Sequence, residues 1–270
     1  MGRLTRAAII VVVLGLFLAI PAQGADPNLI QNGSFEEGFV NGVGKGWTAF
    51  SNGGHCVYGW HPDNWRPVVW DGQWSQLIEI NTGGQQGAER DRYAGIYQAI
   101  DVVSGATYRL TIRGMVRSTE GSPAISGYGY RVQWAIDYNG GTDWQAVEDC
   151  CGRGWHELPW YEWPRLSPGY FETFTTDVTA TSDKLTLFIR AWKKFGTVDQ
   201  EGDFNLDGIS LVGPAPGEGG EGGEGGEGWE GGEAGELPET GAGLAAPIAG
   251  ILLAGLALGA RGMRAYLAKN

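Results

Sequence analysis

Positive charge is scarce in this sequence. Its 270 residues include 19 lysines and arginines against 31 aspartates and glutamates, which gives a formal net charge of −12. Proteins that bind nucleic acid need clustered Lys and Arg to neutralise the phosphates. The composition therefore argues against a nucleic-acid partner, and it is compatible with neutral ligands or divalent cations.

The sequence also lacks the short motifs that mark common catalytic sites. It contains no G-x-S-x-G, no H-E-x-x-H and no P-loop. The spacing of its three histidines, His55, His61 and His156, matches no zinc-ligand pattern. Carboxylates are numerous, but no pair of them stands out as the two that glycoside hydrolysis requires. We therefore expect a protein that is not an enzyme.

Helical periodicity is missing from residues 25–213, which form one domain of ordinary size. Apolar and polar residues alternate instead in short segments, for example 108–116, 128–136 and 184–192. A period of two indicates strands with one buried face. Many short strands with Gly and Asn-Gly between them predict an all-β fold, a β-sandwich.

Long apolar runs occur only near the two ends. Residues 1–24 combine two arginines, an apolar run and small residues, which is the layout of a cleaved signal peptide. A retained membrane anchor is the alternative. Residues 242–260 are uncharged and long enough for a transmembrane segment, and the basic residues in 261–270 predict a cytoplasmic tail.

A Gly/Glu-rich segment, residues 214–236, joins the domain to an LPETG pentapeptide at 237–241. Dense glycine and repeated like charge predict a flexible, disordered linker. The order of linker, pentapeptide, apolar segment and basic tail resembles the cell-wall sorting signal that sortases process. The resemblance implies that a sortase-like transpeptidase cuts between Thr240 and Gly241; the alternative is that the helix stays as a membrane anchor. Both predict an extracellular domain, anchored at the cell surface to wall or membrane.

Only three cysteines are present, and such a location would be oxidising. Cys56 lies beside one Trp-rich segment, and Cys150 and Cys151 lie beside another. A bridge from Cys56 to Cys150 or Cys151 would join the two segments. A vicinal Cys150–Cys151 bridge is the alternative, although its small ring strains the peptide.

Three segments carry a family resemblance. They are LIQNGSFEEGF at 29–39, YAGIYQAIDVVSGATYRLTIRGMVRS at 93–118 and FNLDGISLV at 204–212. Together they resemble the opening, central hairpin and last strand of jelly-roll carbohydrate-binding modules of families 4, 9 and 22, within the galactose-binding-like superfamily. The resemblance implies a jelly-roll β-sandwich and says little about the ligand.

The same resemblance implies a structural calcium ion, bound by Glu36 and Asp207 with backbone carbonyls. Oxygen ligands suit this cation. DFNLDG at 203–208 also has the spelling of the start of an EF-hand loop, but Pro214 stands where that loop needs a bidentate Glu. Alternate acids on one strand face repel unless they are solvated or neutralised, and we expect a solvated edge for Asp199 and Glu201.

Tryptophan is abundant, with 12 residues. Trp47 and Trp134 are expected in the core. Seven others lie in two segments interrupted by Pro and Gly that read as surface loops: Trp60, Trp65, Trp70, Trp74, Trp155, Trp160 and Trp163.

An aromatic plane can stack on the apolar face of a sugar ring, and polar neighbours such as Arg66 can bind its hydroxyl groups. These residues are therefore candidate carbohydrate ligands; burial of the same rings in folded-down loops is the alternative. A third candidate surface is the sheet face opposite the core, where Arg131, Gln133 and Arg190 would line a groove.

The sequence favours a surface-anchored carbohydrate-binding module without catalytic activity. A structural or adhesive envelope protein with a protein partner is the alternative, and a small hydrolase is a third hypothesis.

Overall fold

The computed structural model describes residues 25–84, 89–121, 129–147 and 154–217. Contacts divide the chain into the units Met1–Gly223 and Glu224–Asn270, and the described residues all belong to the first unit. The predicted signal peptide, LPETG motif, transmembrane segment and basic tail lie outside the described residues, as do Cys150 and Cys151 and nearly all of the linker. Among the described residues, no helix is long and apolar enough to cross a membrane.

Regular structure in the described ranges is β-strand apart from one 3₁₀ turn, Arg66–Val68. The strands are β1 (Phe39–Val40), β2 (Val43–Gly44), β3 (Thr48–Ser51), β4 (Val57–Asp63), β5 (Ser75–Asn81), β6 (Arg92–Asp101), β7 (Thr107–Ser118), β8 (Tyr130–Asp137), β9 (His156–Glu157), β10 (Glu162–Pro164), β11 (Glu172–Thr179), β12 (Lys184–Lys193) and β13 (Glu201–Val212).

Two sheets contain most of these strands. The six-stranded sheet has the order β10-β7-β13-β5-β4, and β11 also pairs with β7. β10 runs parallel to the end of β7, whereas β11 runs antiparallel to its beginning, so both share one edge of β7. The five-stranded sheet has the order β3-β6-β12-β8-β9, and β1 and β2 form a separate pair. The predicted all-β fold with stacked sheets is confirmed.

The hydrophobic core lies between the two sheets. Residues that are paired across neighbouring strands lie on the same face of a sheet. Ile78 and Phe204 are paired in the six-stranded sheet, and Ile96 and Ile189 are paired in the five-stranded sheet. All four belong to one core cluster. Trp47 and Trp134 are buried in this cluster, as the sequence predicts. The core thus fixes which side chains of each strand face outward.

The outer face of the five-stranded sheet differs from the expectation of strands with one buried face. Thr186, Phe188 and Arg190 point away from the core and are nevertheless buried. Aromatic side chains from loops cover this face, since Trp144 and Trp155 both contact Phe50 and Trp155 also contacts Phe188. The sheet is therefore covered on both sides, and its outer side is lined by aromatic rings.

Candidate functional site

The outer side of the five-stranded sheet carries a continuous group of rings, which we call the aromatic face. The sheet register places Tyr93 and Tyr97 of β6 opposite Trp192 and Phe188 of β12. Phe50 of β3 lies across from Gly95, between the two tyrosines. The aromatic face consists of Phe50, Tyr93, Tyr97, Trp144, Trp155, Phe188 and Trp192. Five of these seven rings, all except Phe50 and Phe188, remain partly exposed.

Gly95 explains how the rings approach the sheet so closely. A Cβ atom at this position would lie 2.4 Å from Cζ of Phe50 and 2.5 Å from the carbonyl oxygen of Ile189. Only glycine therefore lets the Phe50 ring lie flat over β6.

Arg190 lies at the centre of the aromatic face. Its Cζ is 3.8 Å from the ring centroid of Tyr93 and 3.7 Å from that of Trp155, so the guanidinium is held between two rings. Its Nε donates a hydrogen bond of 2.8 Å to Oε1 of Gln133 on β8. Burial lowers the pKa of Arg190 to about 10, because removal from water disfavours the charged guanidinium.

Arg190 has no carboxylate within ion-pair distance in the part of the chain that the structure describes. Its two terminal nitrogens make no hydrogen bond there and are not sealed from solvent. The side chain is only 7% exposed. The centre of the aromatic face therefore offers guanidinium donors with unused hydrogen-bonding capacity.

Arg131 and Gln133 were both predicted to line a groove on this face. Gln133 lies there and positions Arg190. Arg131 is engaged elsewhere, because its Nε donates to Oε1 of Glu157 at 3.2 Å and its guanidinium lies 3.7 Å from Oε2 of buried Glu162. Arg131 is thus an ion-pairing residue at the margin.

The seven tryptophans predicted to contact sugar occupy different environments. Trp65 and Trp70 are exposed, each stacked near an arginine of β7. Trp74 is half-buried against Phe39, and Trp163 is half-buried against Tyr170. Trp155 belongs to the aromatic face.

The prediction of surface loops is wrong for Trp60 and Trp160. Trp60 lies within β4, packs against the core and donates its indole N–H to the carbonyl of Gly95. Trp160 is 3% exposed and belongs to the core. Strand pairing with β5 overrides the turn residues around Trp60, which is half-buried, and Trp160 is buried.

The segment between β4 and β5 forms a second concave surface. A cavity of about 260 Å³ is lined by Asn64, Arg66, Val69, Gly72, Gln73 and Trp74. It combines one aromatic ring with amide and guanidinium groups, as the sequence predicts for this segment. We call it the loop cavity.

Glu36 and Asp207 hold this segment in place. Oε1 of Glu36 accepts the backbone N–H groups of Gln73 and Trp74, both at 2.8 Å. Oδ2 of Asp207 accepts those of Trp70 and Asp71 at 2.8 and 3.1 Å. Oδ1 of Asp207 is buried and has no protein partner. One free, buried carboxylate oxygen is compatible with a cation, so calcium at Glu36 and Asp207 stays a prediction.

A network of acids and arginines lies on the outer side of the six-stranded sheet. Asp203 is buried, and Oδ2 lies 3.3 Å from Arg117 and 3.0 Å from Arg165. Arg165 also pairs with Glu201 at 2.5 Å. The expected solvated edge holds for exposed Asp199 but is wrong for Glu201, which is half-buried and ion-paired with Arg165.

Cys56 is half-buried, and burial raises the pKa of its thiol. Cys150 and Cys151 lie outside the described residues, so the disulfide bridge stays a prediction.

The sequence contains a signal for part of the aromatic face. Tyr93, Tyr97, Phe188 and Trp192 alternate with core residues, so parity alone places their rings on the same side as Arg190. The parts played by Phe50, Trp144 and Trp155 depend on contacts between distant segments.

Comparison with known proteins gives a likeness of fold. No family model matches this chain, and no curated protein matches it. Among solved structures, TmCBM61 in complex with β-1,4-galactotriose is 12% identical, with 69% of this chain and 98% of that chain covered and a TM-score of 0.40.

Two further structures show the same level of likeness. A putative sugar binding protein from Bacteroides thetaiotaomicron VPI-5482 is 16% identical, covering 69% of this chain and 99% of its own, with a TM-score of 0.42. A CBM4 structure is 14% identical, covering 68% of this chain and 98% of its own, with a TM-score of 0.34. The solved structures that this chain resembles thus include carbohydrate-binding modules, and the likeness is confined to the fold.

Proposed function

We propose that this protein binds glycan or polysaccharide at the aromatic face and acts as a non-catalytic carbohydrate-binding module. The observation that carries the proposal is the guanidinium of Arg190, held between the rings of Tyr93 and Trp155 without a carboxylate in ion-pair distance among the described residues. Partly exposed rings offer stacking planes for the apolar faces of sugars. Arg190 supplies donors for their oxygen atoms.

The geometry suits an oxygen-rich, ring-shaped ligand better than a wholly apolar one. An apolar ligand would cover the free nitrogens of Arg190 and leave them without a partner, which is costly, so these nitrogens favour a ligand that brings acceptors. Gln133 fixes the guanidinium from the other side, which reduces the entropy lost when the ligand binds.

The loop cavity is a second contact area under the same proposal. Asn64, Arg66 and Gln73 place amide and guanidinium groups around Trp74. This arrangement repeats, on a smaller scale, the combination of stacking plane and polar donors at the aromatic face.

Attachment to the cell surface is also a proposal. It rests on the order of signal peptide, Gly/Glu-rich linker, LPETG motif, apolar segment and basic tail in the sequence. In this proposal a sortase-like transpeptidase acts at Thr240 and Gly241, or the apolar segment keeps the chain in the membrane, and the domain holds glycan near the cell.

A glycan array probed with the full chain tests the proposal. Tyr93→Ala and Trp155→Ala each remove one of the two rings around Arg190, and each should weaken binding to the recognised sugar class about tenfold, because the sugar loses a stacking plane and Arg190 loses one of the two rings that hold it. Tyr170→Ala, which removes an exposed ring from the loop before β11, is the matched control and should bind normally. A blank array from protein that still unfolds cooperatively would refute glycan binding.

Exposed apolar side chains support a protein partner as a second candidate function. Leu166 is 83% exposed and Tyr170 71% exposed, and Trp70 lies nearby against Phe171. Exposed aromatic residues are frequent hot spots of protein interfaces. A partner captured from envelope proteins and released by Tyr170→Ala, but not by soluble sugar, would favour this function.

A further inference from the structure

Two positively charged side chains at the aromatic face have no ion-pair partner among the described residues. Arg190 has no carboxylate in ion-pair distance within the described ranges, and the exposed Lys194 has none either. The ammonium of Lys194 lies 5.3 Å from the Trp192 ring centroid, at one end of the same face. Among the described residues, these two cations on this side of the sheet therefore lack a counter-ion.

The carboxylates at the margins are already engaged. Asp91 accepts the indole N–H of Trp192 at 2.9 Å, and Asp137 accepts the backbone N–H of Asn139 at 2.8 Å. Asp101 pairs with Lys184 at 2.5 Å, and Glu157 pairs with Arg131 at 3.2 Å. Asp91 acts on Arg190 only through space, beyond ion-pair distance.

A hydroxyl group would satisfy the N–H groups of Arg190 but would leave its charge uncompensated. A carboxylate would do both, because the planar guanidinium fork matches a carboxylate in a bidentate geometry. The interaction is strengthened by low local dielectric, and Arg190 is 7% exposed between two rings.

The spacing of the two cations favours a polymer. Arg190 and Lys194 are four positions apart on one face of β12 and its continuation, which corresponds to roughly 13 Å along an extended chain. A repeating acidic polysaccharide can present one carboxylate to each cation, whereas a single acidic sugar reaches only one.

We infer that the aromatic face recognises acidic polysaccharides, whose sugars carry carboxylates, in preference to neutral ones. This inference rests on the proposed function. The domain is acidic overall, so selection of an anionic ligand depends on these two local cations, which have no ion pair within the described ranges, and not on net charge.

Matched polymers test the inference. The full chain is titrated with polygalacturonate, alginate and hyaluronan, and with the carboxyl-reduced form of each, which keeps the sugar rings and removes the charge. At least one native polymer should bind about tenfold or more tightly than its reduced form. Raising sodium chloride from 50 to 500 mM should weaken native binding several-fold, because salt screens the contact.

Substitutions test whether Arg190 causes the preference for the native polymer over its carboxyl-reduced form. Arg190→Gln should abolish the preference for the native polymer, while Arg190→Lys, which keeps the charge but not the fork, should reduce it. Arg109→Gln is the matched control, since Arg109 is an exposed arginine on the other sheet, paired with Asp177, and its loss should change nothing. The salt series on the unaltered protein remains informative even if Arg190→Gln fails to fold.

Different outcomes would overturn the inference and the proposed function. Equal binding of native and carboxyl-reduced polymers would overturn the inference and leave glycan binding intact. Absence of binding to every native and reduced polymer, and to a neutral glycan array, would overturn the proposed function and the inference with it.

Discussion

Oδ2 of Asp207 lies 2.8 Å from the backbone nitrogen of Trp70, a residue 137 positions earlier in the chain. Together with Glu36, this carboxylate holds the segment between β4 and β5 by its main chain. The loop cavity is therefore shaped by two acids that do not line it.

Asp207→Ala should destabilise the domain by about 1–3 kcal/mol, because it leaves the N–H groups of Trp70 and Asp71 without their acceptor. Urea unfolding gives this value, and hydrogen exchange should become faster at residues 70–74. Glu37→Ala is the control, since this exposed carboxylate accepts no hydrogen bond in the structure. Unchanged exchange at residues 70–74 would contradict the anchoring role.

Calcium should raise the midpoint of thermal unfolding if it binds at Glu36 and Asp207. Binding to the folded state alone stabilises it by mass action, by about 2.7 kcal/mol at a hundredfold excess over Kd. Scanning calorimetry with calcium and then with chelator measures the effect, and Asp207→Asn, which removes the charge, should abolish it. Identical midpoints with calcium and chelator would assign both acids to loop anchoring alone.

Glu201 should make stability depend on pH. Burial, and then Asp203, raise the pKa of Glu201 from its ordinary 4.5 to about 7. A raised acid pKa means that the folded state binds this proton more tightly than the unfolded state. The contribution of Glu201 to stability is therefore greatest below pH 4.5 and falls as the pH rises through 7.

Glu201→Gln should consequently flatten the decline in unfolding free energy between pH 5 and pH 8. Urea unfolding across this range measures the slope. Asp199→Asn, at an exposed acid two residues earlier, should leave the slope unchanged. Equal slopes for the unaltered protein and Glu201→Gln would show that another group governs the pH dependence.

Gly95→Ala should destabilise the protein by about 1–3 kcal/mol, since the new Cβ meets the Phe50 ring and the carbonyl of Ile189. It should also displace Phe50 and perturb the near-ultraviolet circular dichroism of the aromatic face. Ala99→Ser, at an exposed site on the same strand, is the control for both measurements. Wild-type stability and spectrum in Gly95→Ala would exclude the close packing described for Phe50.

The sequence predicted the sheets better than the site. Segments with a period of two became β7, β8 and β12, because burial of one face is encoded locally in the alternation. The alternation of residues predicts that Arg190 lies on the outer face, but it does not predict that the guanidinium lies between Tyr93 and Trp155. The ring of Trp155 reaches Arg190 from a different segment, and strand periodicity holds no information on where a loop folds.

Trp60 illustrates the opposite error. Pro62 and Asp63 are residues typical of turns, and from the sequence alone they predict a loop around Trp60. Pairing of β4 with β5 provides backbone hydrogen bonds and core contacts that outweigh those local preferences. The tryptophan count indicated aromatic richness correctly, whereas exposure of each ring was decided by tertiary contacts.

The placement of β13 has a mechanical consequence. This strand lies between β5 and β7, is hydrogen-bonded on both sides, and is the last strand before the Gly/Glu-rich segment. The hydrogen bonds between antiparallel strands lie perpendicular to the strands. Tension applied beyond Val212 along the axis of β13 would therefore load many of these bonds at the same time, and they would not break one after another. A domain pulled from that end would therefore resist force through the centre of its larger sheet.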